Sequence, residues 1–146
     1  MGKPDSIRKF DWLYLGSIAV GLIGLALSWS TVTGQMDAQM QAAGTELGSG
    51  TATAALIGGL VIGTGVSLAI WFLISVLRIE LIKWVLIVLV LWGLVTLPAG
   101  IQATGGIGMQ NITGIISTIM SIAAIWFLFR PDAKAWFAEK RGGNRD

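Results

Sequence analysis

The chain has 146 residues, of which 54% are apolar and only 12% are charged, with a formal net charge of +2 at pH 7. Soluble domains carry about 25% charged residues, so this composition excludes a water-soluble globule, and its high hydrophobicity excludes intrinsic disorder. The sequence contains no Cys and no His, which excludes disulfides, thiolate or imidazole metal sites and histidine-based acid–base catalysis. These exclusions leave one integral membrane domain over residues 1–146, with no cofactor.

Uncharged apolar runs long enough to cross a bilayer occur along most of the chain, since about 20 residues make one helical span. They predict an all-α membrane protein, a four-helix bundle with spans at about 12–30, 54–77, 83–101 and 112–129. Helices are expected because an open strand edge in lipid leaves backbone groups unsatisfied. The last uncharged run is too long for one span, and Pro98-Ala99-Gly100 followed by a polar, glycine-rich stretch predicts a break there.

The basic residues predict how the helices are threaded. With four spans, all ten lie on one side of the membrane: Lys3, Arg8, Lys9, Arg78, Lys83, Arg130, Lys134, Lys140, Arg141 and Arg145. The two loops on the other side contain no basic residue, only Asp37 and Glu46 in the outer loop 31–53. The positive-inside rule then places both termini in the cytoplasm. Because the charges lie at span ends, they favour lipid phosphates as partners over nucleic acid.

The sequence also contains a short repeated segment. Ala69-Ile70-Trp71-Phe72-Leu73 in the second span recurs as Ala124-Ile125-Trp126-Phe127-Leu128 in the fourth, with Gly59 and Gly114 at the same offset. One interpretation is that two copies of a helical hairpin enter the membrane the same way round, related by an axis along the membrane normal. The other interpretation is chance similarity among apolar residues.

Small residues recur at helical spacing on three of the four predicted spans. These small-residue stripes comprise Ser17, Gly21, Gly24 and Ser28 in the first span, Ala55, Gly59, Gly63 and Ser67 in the second, and Gly114, Ser117 and Ser121 in the fourth. Small side chains let helix backbones approach closely in lipid. The stripes therefore predict helix packing, either within the bundle or, for a stripe that faces outward, against another protein or a second copy.

Aromatic and basic residues near the span ends predict anchors at the membrane–water interface. The candidates are Trp12, Trp84, Arg130, Lys134, Trp136 and Phe137. Pro131 suits the first position of a helix and Asp132 its first turn, so the tail 130–146 is expected to begin with a short helix on the membrane surface. A second surface helix is expected in the outer loop over about 35–43, ending near Gly44.

Two short segments carry a resemblance. A last span that runs into Phe129-Arg130-Pro131-Asp132, with Trp136-Phe137 a few residues on, is one, and Lys83-Trp84 at the start of the third span is the other. Both resemble segments of a broad group of small bacterial inner-membrane proteins. The resemblance implies four helices and a bacterial inner-membrane location, and because the group is functionally uncharacterised it implies no activity.

Membrane enzymes and proton-coupled carriers normally hold titratable groups inside their spans, and the interiors of the predicted spans contain none. The sequence therefore predicts a non-enzymatic accessory or scaffold subunit that packs against other membrane helices. The alternative is a small oligomeric channel or carrier for a neutral or hydrophobic substrate, with mid-span Ser and Thr lining the path. A phage-type holin is a third interpretation, based on the small size and the basic tail.

Overall fold

A computed structural model describes residues 2–44, 50–103 and 105–142, and these residues form six helices and no strand. The helices are α1 (Asp5–Leu27), α2 (Trp29–Ala42), α3 (Thr51–Ser75), α4 (Ile82–Ala103), α5 (Met109–Leu128) and α6 (Pro131–Gly142). Within α1, α3, α4 and α5 the chain is long and apolar enough to cross a membrane. The all-α fold with four spans is therefore confirmed, and the chain is an integral membrane protein by the length and composition of these helices.

Contacts between helix ends show which ends lie together. The start of α1 lies beside the end of α3, since the Lys3 ammonium is 2.6 Å from Ser75 Oγ. It also lies beside α6, because Ser6 Oγ donates a hydrogen bond to Asp132 at 2.7 Å. The first turn of α4 contacts Phe129, directly after α5. We call this end of the bundle, which holds the α3–α4 turn and α6, the basic end, and the opposite one the far end.

The basic residues are distributed on one side only. Every lysine and arginine whose side chain the structure describes lies at the basic end: Lys3, Arg8, Lys9, Arg78, Lys83, Arg130, Lys134 and Lys140. In α2 and the α4–α5 loop, the described residues of the far end include no basic side chain. This asymmetry between the two ends is the feature that sets the orientation of membrane proteins.

The buried core also lies toward the basic end. It consists of Ile7, Phe10, Tyr14, Ile70, Ile74, Leu86, Ala124, Leu128, Ala133, Trp136 and Phe137. Nearer the far end, large apolar side chains of α3 and α4, such as Val61, Trp92 and Val95, are mostly exposed. The bundle is thus well packed at one end, and its remaining apolar surface must be covered by lipid or by another membrane protein.

Two predicted boundaries differ from the structure. The first span begins at Asp5 rather than near residue 12, so α1 includes Arg8, Lys9 and Asp11. The third span continues through Pro98 to Ala103, two residues beyond its predicted end at 101, so the break follows in the glycine-rich stretch rather than at the proline. A proline removes one backbone hydrogen bond, and in lipid the rest of the helix keeps its bonds only by remaining helical.

Much of the predicted outer loop and of the predicted tail is helical in the structure. Helix α2 begins at Trp29, immediately after Ser28, whereas the sequence predicts a surface helix only from about residue 35. It ends at Ala42, and Gly44 follows with a φ of +69°, a conformation that glycine adopts without strain. Residues 45–49 of the predicted outer loop, including Glu46, lie outside the described residues, as do 143–146 of the tail. The predicted tail helix is present as α6.

The two helical hairpins that the repeat predicts, α1–α3 and α4–α5, do not contact each other symmetrically. Helices α1 and α5 share the most extensive contact in the described chain, whereas the pair equated with them by the repeat, α4 and α3, touch much less. Trp71 is half-buried and donates to Asp11 at 2.9 Å, whereas its counterpart Trp126 is 69% exposed. The repeated sequence therefore occupies two different environments.

Candidate functional site

Helices α1 and α5 approach closely because glycines of α1 leave room for side chains of α5. A methyl carbon added to Gly24 would lie 2.1 Å from Thr113 Oγ1, and one added to Gly16 would lie 2.9 Å from the terminal carbon of Met120. Carbon and oxygen atoms do not approach to 2.1 Å without displacing one another. The α1 backbone at Gly24 therefore lies directly against an α5 side chain.

Serine hydroxyls join the same two helices. Ser117 Oγ donates to the Ser17 carbonyl oxygen at 2.8 Å, and Ser121 Oγ lies 3.2 Å from Ser17 Oγ. Ser17 Oγ in turn donates to the Tyr14 carbonyl oxygen at 2.7 Å. Gly21 faces Ser117, whose hydroxyl would be 3.8 Å from an added methyl carbon. The small-residue stripes of the first and fourth spans thus meet each other inside the chain.

The stripe of the second span has no such counterpart. A methyl carbon added to Gly59 or Gly63 would have no heavy atom within 4 Å, and Ala55 is exposed. Only Ser67 of this stripe, nearest the basic end, lies beside an α1 side chain, that of Tyr14. We call the surface formed by Ala55, Gly59 and Gly63 the α3 small face.

Two stripe residues on other helices differ from their neighbours. Gly114 is exposed, and a methyl carbon added to it would have no heavy atom within 4 Å, so it lies away from the contact made by Ser117 and Ser121. Ser28 is buried where α1 ends, and its hydroxyl has no hydrogen-bond partner in the described part of the chain. Spacing alone therefore does not determine which members of a stripe reach a neighbouring helix.

A cavity of about 400 Å³ lies among the four spans and opens to the surface. Its lining includes Gly59 and Gly63 of the α3 small face together with the hydroxyl-bearing residues Tyr14, Ser17, Thr64, Ser67, Ser117 and Ser121. Leucine, isoleucine and valine side chains make up most of the rest, and no charged side chain is among the described lining residues. Hydroxyl-bearing residues of α1, α3 and α5, which the sequence could not bring together, therefore line one central cavity.

A carboxylate of α1 belongs to the basic end. Asp11 accepts hydrogen bonds from the Lys3 ammonium and from Trp71 Nε1, both at 2.9 Å. Sequence analysis missed this group because it started the first span after Asp11. The available signal was Trp71, which lies one turn before the end of α3. A buried indole N–H usually finds an acceptor.

The first turn of α1 is capped by the other end of the chain. Pro4 precedes the helix and offers no side-chain cap, and Asp132 of α6 accepts instead from Ser6 N–H at 3.2 Å and from Ser6 Oγ at 2.7 Å. The Ser6 hydroxyl, together with backbone N–H donors, lowers the pKa of Asp132 below its ordinary value. A carboxylate beside a helix N-terminus is also favoured by the helix dipole.

The residues predicted as interfacial anchors fall into two groups. Trp12 and Trp84 are mostly exposed, and Arg130 and Lys134 are exposed as well. Trp136 and Phe137 differ from the prediction, because both are buried within the protein rather than laid on a surface. Helix α6 folds back over the end of the bundle, and the Arg78 guanidinium lies 4.3 Å from the Trp136 ring centroid.

Together these features offer close helix packing and hydrogen bonds from neutral hydroxyls. The signals that sequence analysis missed were the larger residues, Thr113 and Met120, which fill the spaces above the glycines of α1. No protein-family model matches the sequence, and no match was found among curated proteins or among solved structures. The geometry of the chain itself is therefore what bears on function.

Proposed function

We propose that this membrane protein is a non-enzymatic accessory or scaffold subunit whose α3 small face packs against a membrane helix of another protein. One observation carries the proposal. The stripes of α1 and α5 pack against each other, whereas Gly59 and Gly63 of α3 have no heavy atom of the described chain within 4 Å of an added methyl carbon and border a cavity that opens to the surface. Surfaces of this kind are where membrane helices associate.

The cost of these glycines supports the same proposal. Helix α3 holds Gly58, Gly59, Gly63 and Gly65 in its interior, and none has an atom within 4 Å of an added methyl carbon. A glycine in a helix interior costs about 1 kcal/mol relative to alanine, so Gly59 and Gly63 of the α3 small face together cost roughly 2 kcal/mol. Packing inside the chain returns none of this, and packing against a partner helix would.

The proposal includes a location and an orientation. We place the protein in a bacterial inner membrane with both termini in the cytoplasm, which is supported by the one-sided basic residues and by the resemblance at Lys83-Trp84 and in the tail. Reporter fusions after residues 40, 80 and 142 test this orientation. It requires the first outside and the other two inside, and any other pattern refutes it.

The packing role is tested by Gly59→Leu/Gly63→Leu, assayed by mild-detergent co-purification from native membranes. We expect the double variant to fold, because there is space at both positions, and to lose its stoichiometric partner. Gly93→Leu on α4, which also has no atom within 4 Å, is the matched control and keeps the partner. Undiminished co-purification with the double variant would refute the role of α3.

A second candidate function rests on the central cavity. Its hydroxyls surrounded by apolar side chains suit a small neutral molecule with one polar group, as a carrier or channel for such a substrate requires. Reconstituted vesicles test this: Thr64→Leu and Ser67→Leu, which fill the cavity with apolar groups, should abolish flux of a transported solute. Flux that survives both substitutions would exclude the cavity as the path.

A further inference from the structure

An open cleft of about 710 Å³ lies at the basic end, between the α3–α4 turn and helix α6. The turn contributes Arg78, Ile79, Glu80 and Leu81, α4 contributes Trp84, and α6 contributes Phe137 and Lys140. It is separate from the central cavity and from the α3 small face. Its lining places cationic groups beside apolar ones, a combination that neither of the other two features has.

The charges of the cleft are positive on balance. Glu80 is paired with Lys83, whose ammonium also lies 5.0 Å from the Phe129 ring centroid. Arg78 stacks on Trp136, which holds its guanidinium in place without cancelling the charge. Lys140 Nζ donates to the Leu77 carbonyl oxygen and so keeps its own charge. No carboxylate among the described residues pairs with Arg78 or Lys140.

The backbone conformation of Arg78 supports a functional role for its side chain. Arg78 has a φ of +54°, the one positive φ among the described non-glycine residues. Glycine occupies this left-handed region freely, whereas a side chain there is strained. Such strain at a non-glycine residue is a reason to look for a role of its side chain. Here that side chain is clamped over Trp136 at the edge of an open cleft.

The apolar rim indicates the kind of ligand. Leu81 is 71% exposed and Trp84 is 55% exposed, and both lie where the membrane-spanning helix α4 begins. An inorganic anion would make no use of these side chains. A molecule with a phosphate and an acyl chain would use both parts of the cleft, with its phosphate at the cations and its chain running along α4.

We propose that this cleft binds the headgroup of an anionic glycerophospholipid, with Arg78 and Lys140 contacting its phosphate and Leu81 and Trp84 contacting its chain. The proposal is independent of the partner at α3. The competing explanation is that both cations only stabilise the C-terminus of α3, where basic groups are favoured by the helix dipole. That explanation predicts no preference between lipids.

The test is a titration of the delipidated, detergent-solubilised full chain, followed by native mass spectrometry. The probes are phosphatidylglycerol, phosphatidylcholine with the same acyl chains, and inorganic phosphate. We expect phosphatidylglycerol to bind at least about tenfold more tightly than phosphatidylcholine, and Arg78→Gln/Lys140→Gln to weaken it about tenfold for each cation removed. Arg78→Lys, which keeps the charge, should restore part of the binding.

The control is Arg8→Gln/Lys9→Gln, which removes the same two charges from the same end of the bundle but outside the cleft. An equal loss of binding in both double variants would overturn the proposal, because it would indicate unspecific attraction. Competition by inorganic phosphate at equal concentration would overturn the assignment to a lipid. If the Arg78→Gln chain fails to fold, Arg78→Gly, which relieves the backbone strain, replaces it with the same expected loss.

Discussion

Helices α5 and α3 both flank α1, and they do so in opposite ways. Helix α5 follows α1 from Thr113 beside Gly24 to Ser121 beside Ser17, and Asp132 continues the contact after its end. The hydrogen bond from Trp71 to Asp11, which joins α3 to α1, lies in the basic-end half of α3. Both helices carry small residues at a spacing of three or four positions, so spacing alone does not select the partner.

The difference lies in what stands opposite each glycine. On α1 the space above Gly24 and Gly16 is filled by longer α5 side chains, so the two surfaces are complementary. On α3 Gly59 and Gly63 border the central cavity, which opens to the surface, and other small residues that line it, such as Gly21 and Ser117, do not come within 4 Å of an added methyl carbon at either glycine. Small residues facing small residues at a distance leave a space, whereas small residues facing larger ones close it.

The largest expected effect comes from making the same substitution, Gly→Ala, on each of these two surfaces. Gly24→Ala places a carbon 2.1 Å from Thr113 Oγ1, and we expect this overpacking to lower the free energy of unfolding by about 2 to 3 kcal/mol. Gly63→Ala meets no atom within 4 Å, and we expect it to raise that free energy by up to about 1 kcal/mol through helix propensity. Thermal unfolding in one detergent measures both.

Both glycines lie inside helices, so the propensity gain is shared and the difference in sign reports packing alone. Gly24→Ala combined with Thr113→Gly, which removes the clashing side chain, should recover part of the loss. Equal changes in stability for the two single alanine variants would mean that α1 and α5 do not pack as closely as described.

A second prediction compares the two copies of the repeated segment. Trp71→Phe removes the indole donor to Asp11, and we expect a loss of about 1.5 kcal/mol, at the lower end for a bond to a charged group, because Lys3 still pairs with that carboxylate. Trp126→Phe changes a mostly exposed ring and should cost under about 0.5 kcal/mol. Similar losses at both positions would instead support equivalent hairpins.

The sequence predicted much of this fold because two of its signals act locally. Apolar runs define the spans in any membrane helix, and the basic residues mark the span ends. Gly105 and Gly106 also have positive φ values in the predicted α4–α5 turn. Asp11 was placed outside the first span, because its position inside a helix depends on its surroundings: the carboxylate becomes tolerable there because Lys3 and Trp71 reach it.

The candidate site was less predictable than the fold. The stripes were visible as patterns, but which stripe finds a partner depends on larger residues such as Thr113 on another helix. The central cavity likewise is lined by hydroxyl-bearing residues from three helices, an arrangement that no single segment encodes. The basic cleft requires α6 to fold back over Arg78, and the sequence placed α6 on the membrane surface instead.

A third, smaller effect tests the polar part of the α1–α5 contact. Ser117→Ala removes the hydrogen bond to the Ser17 carbonyl oxygen, and interhelical bonds of this kind contribute about 0.6 kcal/mol in membrane proteins. Thr118→Ala is the matched control, because its hydroxyl bonds the Gly114 carbonyl oxygen of its own helix. Chemical unfolding of the two variants should differ by that amount, and a larger loss in Thr118→Ala would contradict it.

The smallest expected effect concerns Asp132 of α6, which caps the first turn of α1. The folded-state pKa of Asp132 lies below its ordinary value of 3.8, because Ser6 donates to the carboxylate. A lowered folded-state pKa means that the stabilisation is fully present above the ordinary value and is lost as pH falls through the folded one. Asp132→Asn should therefore lower the melting temperature slightly at pH about 7 and have no effect at strongly acidic pH.

The contact between α6 and α1 can also be tested at the hydrogen-bond donor, Ser6. Ser6→Ala removes the hydroxyl donor, so the pKa of Asp132 should return toward 3.8 and the part of the stability that is lost on acidification through Asp132 should become smaller. Asp37→Asn, on α2 at the far end, makes the same change of charge away from the α1–α6 contact and should leave the acid branch of the melting curve in place. If it moves that branch as much as Asp132→Asn does, then net charge sets the effect, and α6 does not extend the contact of α5 with α1.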